Sequence, residues 1–591
     1  MRGIVALLIG TSFILYAGSI IFPMSQHKKE DTSNLLDRSQ MRSLVMTQRG
    51  IVAASQTLAA QAGAQILARG GSAADAAIAA NAVMGVVEPM NSGVGGDLFA
   101  LEWDAKTGKL TGLNASGWAP QGMTIDFLRK KGYSKMPGSG IDSVTVPGCV
   151  EGWWKLHQRF GRLPWAELFQ PAIYYALHGY PVTEWVSAYW QAWANRLTEN
   201  PEARHVFLPG GRPPKTGEIF RNPEYARALE LIAAKGEDAF YRGEIARAII
   251  ATSKGLGGIM TASDLDTFQA EWVEPISTTY RGWQIYELPP NGQGMAALEM
   301  LNIMQQFPLS QYPAFSAEAL HIKMEAQKLA YADLFHYLGD PQFVKVPLAG
   351  LLSQTYASER ARLINLHHAN CDVQPGVPPG AGASSQASSH LNPGPDTIYL
   401  AAVDREGNIV SLIQSLSASF GSGVAVQGFG ILLQNRGAGF LLEPGKPDSL
   451  APHKRPFHTI IPAFMQRGNL HVGFGIMGGL NQPQAHAQFV SDIVDYGMNI
   501  QAALEAPRFT KLDRGGCDFM IEDRVTPAAR EELIRLGHVL EVRGNLSTWM
   551  GGGQAVMHDS VSGVNSGASD PRKDGEAIPE PVASANAQSP K

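Results

Sequence analysis

Cysteine is scarce in this chain of 591 residues, which holds only Cys149, Cys371 and Cys517. Three thiols so far apart build neither a disulfide framework nor a CxxC metal site; at most one bridge can form, which leaves the compartment open. Charge is sparse too, at 17% of residues, and nearly balanced, with 48 basic against 53 acidic side chains and a formal net charge of -5. That balance offers no basic stripe to neutralise phosphates and argues against nucleic acid as a partner. HExxH, a P-loop and a GxSxG elbow are all missing, so metalloprotease, nucleotide-dependent and serine-elbow chemistries have nothing to rest on. No metal or organic cofactor is implied, and no repeat period is evident.

Long apolar runs are confined to one place. The opening "MRGIVALLIGTSFILYAGSIIFPM" carries Arg2 and then about twenty mostly apolar residues, the lower end of a membrane span. It reads equally as a signal peptide, with the small residues Ala17 to Ser19 as a cleavage site. The flanking charges, Arg2 against Lys28 and Lys29, do not fix an orientation. Residues 1–40 are therefore assigned to a signal or anchor segment with a polar linker, placing the protein outside the cytoplasm or on a membrane; a start at Met41 would make it cytoplasmic.

What is present is ordinary globular composition, 45% hydrophobic, with length for two to four domains or one large composite one. "TLAAQAGAQILARGGSAADAAIAANAVMGVVEP" predicts two small-residue helices broken at Gly70-Gly71, with Ser72 and Asp75 as a capping box. "NSGVGGDLFALEWD" and "GKLTGLNASGWAP" predict paired strands, and helical patterns dominate from Gly152 to about Ile250. Residues 368–396 are Pro/Gly/Ser-rich and aperiodic, a flexible linker or loop. Directly after them "TIYLAAVD", a turn at "REGN" and "IVSLIQSLS" predict a hairpin, and "FGSGVAVQGFGILLQN" and "LHVGFGIMGG" continue the sheet. Residues from about 573 to 591 are expected to be a disordered tail.

The abrupt change at Thr397 poses a chemical question. A threonine hydroxyl is a poor nucleophile without an adjacent base, and one solution uses the residue's own α-amine. That amine titrates at about 7.7 to 8.0 when unperturbed, close to where a general base works best. Thr397 would have to be the first residue of a chain, so the Asp396–Thr397 bond must be cut, most simply by attack of its own hydroxyl on the preceding carbonyl. A mobile segment before it would strain the bond and then swing away. The bland alternative is a β-branched residue that merely starts a strand.

The wider pattern weighs against the bland reading. In order, the chain carries "GGSAADAAIAA", "NSGVGGDLFAL", "SVTVPGCVEGWWKLHQRFG", "PPNGQGMAALEMLNI", "YADLFHYLGDP", "VDREGNIVSLIQSLSASFGSG", "GILLQN", "KRPFHTIIPAF", "GGLNQPQAH", "YGMNIQAALEAPRF" and "SGASDPR". Together they resemble the γ-glutamyltranspeptidase family of N-terminal-nucleophile hydrolases across most of Met41 to Arg572. The resemblance implies an α+β, four-layer αββα sandwich formed jointly by two subunits of one cleaved precursor, 41–396 and 397–591. It puts Thr397 on the processing and catalytic threonine, Ser415 on a hydroxyl that assists it, and Gly478 and Gly479 on the oxyanion-hole pair, where glycine lets backbone N–H groups approach closely.

Substrate positions depart from the family pattern. Ser116 stands where an arginine usually holds the α-carboxylate, and His458 and Thr459 replace a serine pair. Arg436 replaces a glutamine, and Gly439 the aspartate that accepts the α-amine. Ser116, Ser417, Arg436, His458 and Thr459 are the expected substrate contacts. Losing a bidentate arginine and a carboxylate puts standard γ-glutamyl recognition in doubt. Arg436 supplies a carboxylate-binding charge from the other side of the pocket or forms a surface salt bridge; His458 lines the pocket or is a satisfied structural histidine. Such changes resemble the divergent branch with glutaryl-cephalosporin acylase relatives. The leading reading is a self-processing hydrolase or transferase that moves γ-glutamyl groups from amides such as glutathione to water or an amine. A glutaryl- or other acyl-amide hydrolase is the alternative, and an inactive membrane-anchored binding protein of the same fold a third.

Overall fold

The computed structural model describes residues 40–382, 396–513 and 515–582. The signal or anchor segment and residues 383–395 of the Pro/Gly/Ser-rich run lie outside the described residues. Among the described residues no helix is long and apolar enough to cross a membrane.

Two seven-stranded antiparallel sheets lie face to face. The first runs Glu576–Pro579, Ile51–Ala54, Ile398–Val403, Ile409–Ser415, Asp97–Asp104, Lys109–Ala115 and Glu271–Val273. The second runs Val45–Thr47, Val564–Ser569, Gly553–Asp559, Leu470–Ile476, Ala463–Arg467, Trp283–Glu287 and Ile276–Tyr280. Each draws strands from both sides of Thr397, so the sandwich is a joint product of the two halves.

Side-chain alternation explains why "IYLAAV" is apolar at every position. Ile398, Leu400 and Ala402 enter a core under helices that include Thr57–Ala68 and Ala73–Val87. Tyr399, Ala401 and Val403 face the other sheet, among Phe99, Ile413, Phe464 and Val556. A strand covered on both faces has no polar side to show. The second sheet's outer face is covered by Gly294–Met304, Ala317–Tyr337 and Gln482–Val494. The order is helix, sheet, sheet, helix, as the resemblance implies. The Ser72–Asp75 capping box is formed as well.

Three expectations need correction. The tail is not disordered from 573: Glu576–Pro579 pairs with Ile51–Ala54, and Lys573 is buried against Glu88 at 2.5 Å. Backbone edges and a buried charge leave those residues no freedom, and only 583–591 lie outside the described part. Nor is the Pro/Gly/Ser-rich run flexible from 368: Cys371 is bonded to Cys517, the Gly376 N–H donates to Asp333, and Arg360 holds the Gln374 carbonyl. Residues 368–382 carry no helix or strand, and side-chain anchors that composition does not report fix them. Finally, "FGSGVAVQGFGILLQN" forms its own two-stranded sheet, Ala425–Val426 with Ile431–Leu432, and "LHVGFGI" belongs to the second sheet.

Cys149 is a free, buried cysteine whose thiol is pushed well up by burial. Thiol titration of native protein is therefore expected to find none reactive, denaturation without reductant one, and denaturation with reductant three. Two or three reactive thiols before reduction would remove the Cys371–Cys517 bridge.

Candidate active site

The hairpin Ile398–Val403/Ile409–Ser415 pairs Ile398 with Gln414, which brings Thr397, one residue earlier, beside Ser415. Thr397 Oγ1 donates to Ser415 Oγ at 2.9 Å, and the Ser417 N–H donates to the same oxygen at 2.8 Å. Both hydroxyls are buried. Thr397 holds φ at 100°, where a β-branched side chain is a true outlier costing about 1–3 kcal/mol. It is held from both sides. After it comes a central strand; before it, the Asp396 carboxylate accepts from Tyr189 Oη at 2.9 Å and from Ser419 Oγ. Burial raises the Asp396 carboxyl, while the two hydroxyls, Arg196 and Lys573 draw it back.

Next to Ser415 in the ladder stands Asp97. Its Oδ1 accepts the Gly117 and Gly148 N–H groups at 3.1 and 3.2 Å, and its Oδ2 lies 3.0 Å from His458 Nε2. Burial pushes the Asp97 carboxyl up to about 7, against the pull of Arg436 and the two N–H groups. The His458 imidazole is driven well below its ordinary value by burial and by Arg436. His458 is thus a neutral, buried partner of Asp97, the structural one of its two readings, and not an open pocket wall.

Arg436 is fully enclosed, so it is not a surface salt bridge. Burial lowers its guanidinium to about 10, with Asp97 and Asp396 pulling the other way. Nη1 donates to Thr459 Oγ1 at 2.8 Å, while among the described residues Nε and Nη2 have no hydrogen-bond partner. A buried cation with two idle donors is costly unless an anion completes it. Ser116 differs: its hydroxyl donates to Asn114 Oδ1 at 2.7 Å and accepts from Asn291 at 3.2 Å, so it braces the strand end instead of standing free for substrate. Ser417 is half-buried with φ 79°, and Gly439 is buried in the turn after Arg436.

Gly478 and Gly479 follow the strand Leu470–Ile476. A Cβ on Gly475 would come within 2.4 Å of the Tyr399 ring, so glycine there lets this strand settle onto the one that starts after Thr397. Gly478 has φ 127°, open only to glycine at low cost. Among the described residues neither glycine N–H has a hydrogen-bond acceptor. Gln293 Nε2 donates both to the Thr459 carbonyl, at 2.6 Å, and to the Gly479 carbonyl, at 2.8 Å, tying the glycine pair to the Arg436 side. Sequence reasoning missed Gln293, Asp97, Tyr189 and Ser419. Gln293, Asp97 and Ser419 sit inside recognised motifs, and for the first two their polarity among glycines was the available signal.

Away from this site, His321, Glu325 and His538 bring ligand atoms within 4.8 Å of one another. The imidazoles already bond each other at 2.7 Å, and Lys328 Nζ lies 2.6 Å from Glu325. An ammonium therefore already supplies the positive charge there.

Comparison with known proteins agrees with this geometry. The sequence model of the gamma-glutamyltranspeptidase family matches residues 59–580. A glutathione hydrolase-like proenzyme of Bacillus subtilis is 36% identical over 91% of this chain and 100% of its own length. An acylase proenzyme of a Pseudomonas species is 33% identical over 90% and 93%. The crystal structure of cephalosporin acylase from Bacillus halodurans superposes with a TM-score of 0.85 at 40% identity, covering 93% of this chain and 98% of that one.

Arg436 gives a test of whether the site is tuned for binding at the expense of stability. At about pH 6, where Asp97 is largely protonated, Arg436→Met is expected to leave the unfolding free energy unchanged or raise it by up to about 2 kcal/mol. Without the guanidinium the Asp97 pKa rises further. A raised carboxyl contributes stability at low pH that is lost as pH climbs through the folded value, so the comparison should turn against the variant above about pH 7. Denaturant titrations at both pH values check this, and a large loss already at pH 6 would make Arg436 a structural ion.

Proposed function

The chain belongs to the γ-glutamyltranspeptidase family, and on that footing we propose that Thr397 is the nucleophile of a self-processing hydrolase and acyltransferase acting on γ-glutamyl amides such as glutathione. The observation that carries this is the Thr397–Ser415 hydroxyl pair at the head of a buried hairpin, at a backbone angle threonine avoids. In processing, Thr397 Oγ bonds to the Asp396 carbonyl carbon as the C–N bond breaks, and the hydroxyl proton passes to the departing nitrogen. Water then hydrolyses the ester, leaving a carboxylate on Asp396 and a free amine on Thr397. That amine takes the hydroxyl proton during attack on a substrate amide and hands it to the leaving amine. Gly478 and Gly479 offer the oxyanion unengaged N–H groups. The acyl group leaves to water or to an amino acid or peptide amine.

The second reading, a glutaryl-type acyl amide, shares the carboxylate end and lacks the α-amine. Arg436, with two idle donors in a sealed site, supports a carboxylate in either case. Gly439 in the aspartate position and the likeness to acylases support the second reading. The Cys371–Cys517 bridge supports an extracytoplasmic setting, since disulfides persist in oxidising compartments.

On a reducing gel the purified protein is expected to run as two fragments, the smaller beginning at Thr397; without reductant the Cys371–Cys517 bridge should hold them together. Thr397→Ala should stay whole and inactive, and Ser415→Ala should retain about 1% of activity or less. A new terminus elsewhere, or turnover by Thr397→Ala, would overturn the reading. Rates on γ-glutamyl- and glutaryl-p-nitroanilide decide between the two acyl groups.

A further inference from the structure

The seat of Asp396 is more elaborate than a strand-leading residue needs. Its carboxylate is buried and takes hydrogen bonds from Tyr189 Oη and Ser419 Oγ. Tyr189 is itself fixed, since its ring stacks on Trp185 at 4.8 Å and 11°, and Trp185 lies over the Lys573 ammonium at 3.6 Å. Lys573 is in turn locked to Glu88. Arg196, which anchors on the Gly138 and Gly421 carbonyls, attracts the Asp396 carboxylate and also lines a cavity of about 520 Å³ with Trp193, Ser422 and Gly423.

The self-cleavage proposed above makes the seat informative. Its intermediate is an ester on Thr397 Oγ whose acyl part is the aspartyl residue, with a side-chain carboxylate two carbons from the ester carbonyl. The acyl-enzyme formed later from any substrate places its own acyl part on that same oxygen. Asp396 is therefore the first acyl group this site holds, and its carboxylate marks where an acyl chain can put a negative end.

We propose that the Asp396 seat, made of Tyr189 and Ser419 with Arg196 and Arg436 at its flanks, becomes the subsite for the distal carboxylate of dicarboxylic monoacyl amides once the chain is cut. This rests on the reading of Thr397 as nucleophile and adds to it a recognition surface. Asp396 and the substrate use the seat in turn, the first as part of the precursor and the second in every later cycle. Neutral acyl chains would leave the two hydroxyls and two guanidinium groups without an anion, which is the basis of selection.

The test uses the processed protein. The ratio of kcat/KM for succinyl- or glutaryl-p-nitroanilide to that for butyryl-p-nitroanilide is measured for wild type, Tyr189→Phe and Ser419→Ala, taking only the cleaved fraction of each. Each substitution is expected to cut the ratio about 10-fold, mainly through KM for the carboxylate substrates, because each removes a hydrogen bond to a charged group, the stronger kind. A ratio within about 2-fold of wild type in both variants, with cleavage alone slowed, would confine the seat to the precursor and overturn the proposal. Should the variants fail to mature, wild type decides: the half-amides succinamate and glutaramate should inhibit competitively at least 10-fold more strongly than the uncharged butyramide, and equal inhibition overturns the proposal. Absence of cleavage and of all amide turnover removes the parent reading. Turnover whose carboxylate preference falls with Arg436→Met but not with Tyr189→Phe or Ser419→Ala removes this inference alone.

Discussion

Everything at this site depends on one antiparallel ladder, Ile398–Val403 against Ile409–Ser415. It lies inside the first sheet, with Ile51–Ala54 on one side and Asp97–Asp104 on the other. Both its faces are covered, by helices on one and by the second sheet on the other. A strand fixed on four sides tolerates strain at its head, which is how Thr397 keeps a backbone angle that an isolated threonine would leave. The same burial explains why a cut there need not loosen the fold: ladder bonds, both cores and the Cys371–Cys517 bridge all survive it.

Around that ladder the protein concentrates groups that a core normally avoids. Asp97, His458, Arg436 and Thr459 occupy one buried cluster, and the backbone N–H groups of Gly117 and Gly148 complete Asp97. The carboxyl is raised and the imidazole and guanidinium lowered, each mainly because burial disfavours its charged form. Yet the satisfaction is uneven. Asp97 has three hydrogen-bonding partners, whereas Arg436 keeps two nitrogens idle. Uneven satisfaction is what separates a structural polar cluster from a binding one, because only the latter gains when a ligand arrives.

Much of this was legible in sequence and some was not. The hairpin, the small-residue helix pair and its capping box follow from local pattern, and Thr397 stands out because an aperiodic run meets a strand there. The αββα order is not a local property and came through the resemblance. Ser116 and His458 show the limit of position-by-position transfer: they fill family substrate positions, but their hydrogen bonds go to Asn114, Asn291 and Asp97. The tail and residues 368–382 were misjudged because composition reports intrinsic preference, while a disulfide, a buried Lys573–Glu88 pair and an edge strand are tertiary facts. Tyr189 and Ser419 lie far from Asp396 or inside a serine-rich string, and no spacing rule links them to it.

The strain at Thr397 also bears on the direction of processing. A φ angle exists only while residue 396 is attached, because it is the preceding carbonyl that crowds the threonine Cβ. Cleavage abolishes that contact, so the roughly 1–3 kcal/mol held there is released with the bond and opposes religation. The seat of Asp396 acts the other way before the cut, since its two hydroxyl donors hold the carboxylate and hence the carbonyl beside the nucleophile. Precursor strain and precursor grip are thus set on either side of a single bond, and breaking it relieves the first while leaving the second free to grip something else.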